Sequence, residues 1–227
     1  MQRWNGWGDD SIHMELPRKG RDLLTEWIGK GRPRQDCPIE KLLVREPPSR
    51  LPPHPLISVD DRLRLDHAHG QSLPDWVRMR GGMLDRFPDG VAKPTTREDV
   101  EGLMQFAAAK NIAVIPYGGG TSVVGHLEVP EIENPVLSLS FEHLNRMIDI
   151  DTGSLLATFE AGIRGPDLEA HLNQKGFTLG HYPQSFEYST LGGWVATRSS
   201  GQQSRHYGRI EQLFAGGELL TTRGYLQ

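Results

Sequence analysis

Three consecutive glycines directly after a predicted strand constrain this 227-residue chain more than any other feature. The segment Pro116-Tyr-Gly-Gly-Gly-Thr-Ser122 follows an apolar run over residues 112–116, which we predict to be a buried strand. Glycines lack Cβ atoms, so their backbone N–H groups can approach a ligand closely, and successive N–H groups in such a turn bind anions. The hydroxyls of Thr121 and Ser122 add donors. The segment predicts a phosphate or pyrophosphate site, with a plain mobile turn as the alternative.

Two common phosphate-binding loops do not fit this segment. A P-loop requires lysine and a hydroxyl residue after its second glycine, but His126 and Leu127 follow Gly125. A dinucleotide-binding fingerprint that starts at Gly118 requires glycine at position 123, which is Val123. The loop therefore belongs to neither class.

The elements around the loop predict a strand–helix–strand unit. Residues 90–94 form a short strand, and Thr96 with Asp99 has the spacing of a capping box. Apolar residues then recur at helical spacing through Ala107, and Asn111 suits the left-handed position that ends a helix. With the strand at 112–116, this order implies a right-handed parallel crossover.

The second half of the chain predicts an antiparallel region. Residues 136–140 and 146–150 alternate with period two, and residues 154–160 follow a hairpin-like turn at 151–153. Another helix is indicated between Pro166 and Gly176. We therefore predict an α+β fold in which a small parallel βαβ unit leads into an antiparallel sheet with helices.

The first 85 residues differ from the rest, so we divide the chain into an N-terminal arm, residues 1–85, and a domain, residues 86–227. Clustered prolines over residues 47–55 disfavour both helix and ladder pairing. Before them, residues 21–29 predict a short helix. Its apolar side carries Leu23, Leu24, Trp27 and Ile28.

Composition excludes several classes of function. A net charge of −4 and a pI near 6.1 argue against nucleic acid as a partner. The single cysteine, Cys37, allows no internal disulfide and is typical of a reduced cytoplasmic protein. Neither a signal peptide nor an apolar stretch of roughly 18 residues is visible, so we expect a soluble cytoplasmic protein without a transmembrane segment.

A few conspicuous side chains have plainer interpretations. His67 and His69 have a spacing found in metal sites, but nothing in the sequence completes a ligand set, so we predict no metal. Trp4, Trp7 and Trp194 are interpreted as packing anchors.

A second unusual segment, residues 180–201, is rich in small and hydroxyl residues. Gly192 and Gly193 weaken a helix by about 1 kcal/mol each, which indicates that another group packs closely against the backbone. Ser189 or Thr190 would cap that helix.

These motifs together resemble the PCMH-type FAD-binding domain of the FAD-linked oxidases. The resemblance lies in the glycine segment at 116–122, Glu160-Ala-Gly162, Ser189-Thr-Leu-Gly-Gly-Trp194 and Thr197-Arg198. Within that group, the chain resembles the alkylglycerone-phosphate synthases in further segments. These are Arg3-Trp-Asn-Gly-Trp-Gly8, His67-Ala-His-Gly70, Gly81-Gly-Met-Leu-Asp-Arg-Phe-Pro-Asp89 and Gly180-His181.

The resemblance implies that FAD lies between two subdomains. It implies these cofactor-binding residues: Pro116, Tyr117, Gly118, Gly119, Gly120, Thr121, Ser122, Gln184, Ser185, Phe186, Glu187, Tyr188, Ser189, Thr190, Thr197, Arg198, Ser199 and Ser200. It further implies His181 as a catalytic residue and Arg64 as a substrate residue. Gln184 stands where the family usually has aspartate, so a carboxylate is lost here.

The synthases exchange the acyl chain of a lipid phosphate, acyl-dihydroxyacetone phosphate, for a fatty alcohol. Whether this chain forms a homodimer is left open. They continue with a further flavin-contacting element and a large cap domain, so we expect a truncated flavin-binding portion without activity of its own. An FAD-linked 2-hydroxy-acid dehydrogenase and a non-catalytic flavin-binding remnant are the alternatives.

Overall fold

The computed structural model describes residues 3–9, 11–12, 14–32, 35–221 and 224–226. The helices in this part of the chain are α1 (Arg18–Ile28), α2 (Ile39–Leu43), α3 (Asp61–Asp66), α4 (Leu73–Arg80), α5 (Arg97–Ala109), α6 (Gly165–Asn173), α7 (Leu191–Thr197), α8 (Ser204–Tyr207) and α9 (Ile210–Leu213). The strands are β1 (Ile57–Ser58), β2 (Gly90–Ala92), β3 (Ala113–Tyr117), β4 (Val136–Ser140), β5 (Met147–Asp151), β6 (Leu156–Phe159), β7 (Leu219–Thr221) and β8 (Gly224–Leu226).

The main sheet has the strand order β1-β2-β4-β3. Both β2 and β3 pair with β4 in parallel, and Ser138 lies opposite Val91 on one side and Ile115 on the other. The parallel βαβ unit predicted from the sequence is present, with β4 inserted between its two strands. The predicted α+β fold is confirmed.

Two strands differ from what the sequence predicts. All five residues of β4 are buried, including Ser138 and Ser140, because a central strand of a parallel sheet is covered on both faces. The sequence places this strand in the antiparallel region, which is wrong, because β4 runs parallel to both of its neighbours. Strand β3 was expected to be buried. It lies at one edge of the sheet formed by the described strands and is only partly buried.

Helix α5 begins and packs as its sequence predicts. The Thr96 hydroxyl accepts a hydrogen bond from the Asp99 N–H, and the Asp99 carboxylate accepts from the Thr96 N–H. Val100, Leu103 and Ala107 form its buried stripe against the sheet. The helix is followed by Asn111 at φ 55°, the predicted left-handed position.

The predicted hairpin and the next helix are also present. Strands β5 and β6 pair antiparallel, and the Asp151 carboxylate accepts from the Gly153 N–H at the turn. Helix α6 buries Leu168 and Leu172 in a cluster that includes Trp194 of α7.

The N-terminal arm is tied to the sheet. Strand β1 pairs antiparallel with β2, and Leu42, Leu65 and Phe87 belong to one apolar cluster that crosses the proposed boundary at residue 85. That boundary stays a prediction. Helix α1 forms close to where it was predicted, but none of its residues is buried. Within the described residues, no helix combines the length and apolar character that crossing a bilayer requires.

Candidate functional site

Two distant segments close around the glycine loop that follows β3. On one side, a Cβ at Gly119 would overlap the carbonyl oxygen of Tyr188, so the two backbones are in direct contact. On the other side, the Gln71 N–H donates to the Ser122 carbonyl at 2.7 Å. The structure therefore brings the 116–122 segment together with residues 188–190, as the predicted site requires. The missing Cβ of Gly119 accommodates the protein backbone, a reason that differs from the ligand approach expected from the sequence.

The N–H groups of this loop are its most informative feature. From Gly118 to Gly125, none of the backbone N–H groups donates a hydrogen bond to any described residue. The loop is largely half-buried, and Gly120 has φ 69°, a left-handed conformation that L side chains rarely adopt. A row of unpaired N–H groups in a partly buried turn creates positive potential and binds anions. Buried backbone groups are otherwise nearly always paired.

Tyr117 anchors the base of the loop. Its hydroxyl donates to the Asp66 carbonyl at 3.1 Å, and its ring contacts His67 with the ring centroids 4.1 Å apart. Burial raises the pKa of Tyr117 and lowers the pKa of His67. Both groups therefore stay neutral at pH 7 and add no charge beside the loop. This contact was not predictable from the sequence, because the two residues are fifty positions apart.

Residues 184–190 form a folded turn in which most polar groups hydrogen-bond to one another or to the adjacent helix α7. The Ser185 carbonyl accepts from both the N–H and the hydroxyl of Ser189, and that hydroxyl accepts from the Trp194 indole at 2.7 Å. Phe186 stacks on Trp194 with a centroid distance of 6.5 Å. The exposed residues of the turn are Gln184 and Glu187. Of this predicted set, Ser189 and Phe186 hold the frame of the site together.

Helix α7 connects the glycine loop to residues 197–200. Thr190 caps it, as predicted, by accepting from the Gly193 N–H. The Leu191 and Gly192 N–H groups donate to carbonyls of residues 163 and 161, so the N-terminus of α7 has few donors left for an anion. At its C-terminal end, Arg198 is exposed and pairs with Glu211 at 3.3 Å, and Ser200 is exposed.

His181 lies fully buried behind the C-terminal end of α7. Its Nε2 is 2.6 Å from the Ser199 hydroxyl, and its ring contacts Trp194 at 5.0 Å. Burial lowers the pKa of His181, so the ring is neutral at pH 7. The carboxylate of Glu169, itself buried, accepts from the N–H groups of Leu179 and Gly180 and holds the preceding loop. Sequence reasoning missed Glu169, because a single acidic residue on an amphipathic helix gives no signal of burial.

Arg64 is placed inside the N-terminal arm. Its side chain is 2% exposed, and it donates to the carbonyls of Pro88 and Pro47 at 2.8 and 2.9 Å. Its Nε also lies 2.9 Å from a carboxylate oxygen of Glu46. These partners engage the guanidinium, and its substrate role stays a prediction.

Comparisons with known proteins show the family to which the chain belongs. The family model of the FAD binding domain matches residues 88–227, so the chain belongs to the FAD-binding-domain family of flavoproteins, with a PCMH-type domain. The unpaired N–H groups of the glycine loop fit the pyrophosphate of that cofactor.

Within the family, the chain is a homologue of alkyldihydroxyacetonephosphate synthases. It is 35% identical to the Trypanosoma brucei brucei enzyme over 99% of this chain and 42% of the relative. It is 41% identical to the Dictyostelium discoideum enzyme over 74% of this chain and 28% of the relative. A crystal structure of alkyldihydroxyacetonephosphate synthase superimposes with a TM-score of 0.87 at 33% identity, covering 100% of this chain and 49% of that chain. The chain thus spans less than half the length of these relatives.

Proposed function

We propose that this chain is the FAD-holding half of an alkylglycerone-phosphate-synthase-like enzyme. The observation that carries the proposal is the unpaired row of N–H groups from Gly118 to Gly125. Backbone donors of this kind hold a pyrophosphate without a lysine, which matches the absence of a P-loop lysine from the sequence. Thr121 and Ser122 add hydroxyl donors beside the same anion.

The length of α7 supports a binding mode for the rest of the cofactor. Thr190, at its start, touches the glycine loop, and Ser199 lies just beyond its end. Seven helical residues span roughly 10 Å. That separation suits a dinucleotide whose pyrophosphate and isoalloxazine ring are joined by an extended ribityl chain. The flavin would therefore lie near residues 197–200, and it supplies the covalent chemistry at the substrate carbon when bound.

The substrates we propose follow from the relatives' names and from the resemblance of the sequence to them. They are an acyl-dihydroxyacetone phosphate and a fatty alcohol. The alcohol replaces the acyl chain, without net oxidation, in the synthesis of ether lipids. Because the chain spans less than half of its relatives, we propose that it does not perform this exchange alone. A cytoplasmic location and a homodimer remain part of the proposal.

A chimera tests the proposed reaction. The chain replaces the equivalent portion of the Trypanosoma brucei brucei relative, which matches 99% of it. We expect the purified chimera to contain FAD and to incorporate labelled fatty alcohol into an alkyl product.

A chimera that contains FAD but makes no alkyl product would contradict the proposed reaction. A chimera that instead bleaches its flavin with glycolate or D-lactate, and passes the electrons to a dye, would identify the 2-hydroxy-acid dehydrogenase alternative.

A further inference from the structure

The partners of the two ring nitrogens of His181 decide which group is the donor in its hydrogen bond with Ser199. His181 is wholly buried, and its second ring nitrogen, Nδ1, has no partner among the described residues. The neutral ring carries one proton, on either Nε2 or Nδ1. A proton on Nδ1 would leave a buried N–H donor unpaired, whereas a proton on Nε2 leaves only a lone pair unpaired. Orphaned buried donors are the rarer of the two in proteins.

The Nε2–H of His181 therefore donates to the Ser199 oxygen, at 2.6 Å. This fixes what the serine can do next. With one lone pair occupied by the histidine, the Ser199 hydroxyl keeps its own proton, and no other described group accepts it. Ser199 is half-exposed, so this proton can be directed out of the protein interior.

The backbone on both sides of Ser199 is held. Its N–H donates to the Trp194 carbonyl at 3.0 Å, and its carbonyl accepts from the Ile210 N–H at 3.4 Å. The preceding residue, Arg198, has φ 51°, a left-handed conformation that turns the chain at the end of α7. Ser199 thus has a fixed main chain and a fixed acceptor side.

We infer that His181 is a positioning residue that acts through Ser199, setting its hydroxyl as a hydrogen-bond donor to an acceptor atom of the bound flavin. This rests on the proposed function, because it takes the flavin to lie near residues 197–200. It changes the role that the sequence assigned to His181, since a fully buried ring does not touch substrate or cofactor itself.

The tautomer is measured first, without any cofactor. Long-range proton–nitrogen NMR on the histidine-labelled 227-residue chain reports which ring nitrogen of His181 carries the proton, with His181→Gln used for assignment. We expect the Nε2–H tautomer from pH 7 to pH 8, because burial lowers the pKa of His181 from its ordinary value. An Nδ1–H tautomer, or a charged ring at pH 7, would overturn the inference whether or not FAD binds.

FAD titration then measures the consequence. Loss of one hydrogen bond weakens binding by roughly tenfold, so we expect this effect from Ser199→Ala and from His181→Phe. The double variant should be no weaker than either single variant. His181→Gln, which keeps a donor near the Nε2 position, should restore most of the affinity. His143→Phe, at an exposed histidine, is the control.

If the losses of FAD affinity in the two single variants multiply in the double variant, the proposed role of His181 is overturned. Full FAD affinity in His181→Phe would overturn it as well. A wild-type chain that folds but binds no FAD would instead contradict the proposed function, and the tautomer measurement would still decide the serine–histidine geometry.

Discussion

The backbone of Gly119 lies directly against the carbonyl group of Tyr188, so closely that no side chain fits between them. This contact joins the two segments that the sequence had singled out separately. It also fixes the conformation in which the N–H groups of the glycine loop remain unpaired.

Gly119→Ala should therefore damage both stability and FAD binding. The added Cβ overlaps backbone atoms that cannot rotate away, and overpacking of this kind costs about 1–3 kcal/mol in the free energy of unfolding. Urea denaturation and FAD titration measure the two effects. Gly102→Ala is the matched control, because Gly102 lies in α5 with open space around it. That change should stabilise the protein by about 0.5–1 kcal/mol. A Gly119→Ala protein with unchanged stability would show that the two loops are not in contact.

Trp194 and Trp27 should behave oppositely when each is replaced by alanine. Trp194 is 2% exposed and packs against His181 and Phe186, whereas Trp27 on α1 is 71% exposed. Trp194→Ala should cost about 3–5 kcal/mol in the free energy of unfolding. Trp27→Ala should change it by less than about 0.5 kcal/mol. A large loss from Trp27→Ala would mean that α1 packs against the protein in solution.

Asp89 should make stability fall in acid. Burial alone would raise its pKa, but hydrogen bonds from the Arg50 side chain and from the Val136 and Arg50 N–H groups outweigh burial and lower the pKa. The stabilisation is therefore present above the pKa of an unfolded aspartate, about 3.9, and is lost as the pH falls through the lower folded value.

Asp89→Asn should cost about 1.5–3 kcal/mol at pH 7 and make the acid decline shallower. Denaturation at a series of pH values measures both effects, and Asp85→Asn, at an exposed position, should change neither. An acid decline as steep as that of the unmodified chain would contradict the role of Asp89.

Glu46 should make the stability of the fold fall as the pH rises, the opposite of the effect of Asp89 and at higher pH. Burial raises its pKa from 4.5 to about 7, although Arg64 opposes the shift. Because the folded pKa lies above the unfolded value, the favourable contribution is complete below about pH 4.5 and is lost as the pH rises through 7. Glu46→Gln should remove this dependence between pH 4.5 and 7. If the variant keeps the slope of the unmodified chain, another group is responsible.

The sequence predicted the parts of the fold that depend on local chemistry. The capping box of Thr96 and Asp99, the left-handed Asn111 and the turn at Asp151 are decided by residues a few positions apart. The burial of Ser138 was not predictable in this way, because it depends on strands and helices distant in the chain that cover both faces of β4.

The candidate site divides along the same line. The glycine loop was found because its residue types are unusual, and its N–H groups are unpaired as an anion site requires. The side chains that support it, Tyr117 against His67 and Glu169 beneath Gly180, meet only through tertiary packing. No short motif marks such contacts, so a sequence alone does not reveal them.

Backbone amide NMR during FAD titration tests most directly whether the glycine loop holds the cofactor's pyrophosphate. We predict that the largest shifts occur at the amides from Gly118 to Gly125, and that riboflavin, which lacks the pyrophosphate, leaves them unchanged. If FAD binds and these amides do not move, or if riboflavin moves them equally, the assignment of the loop is contradicted.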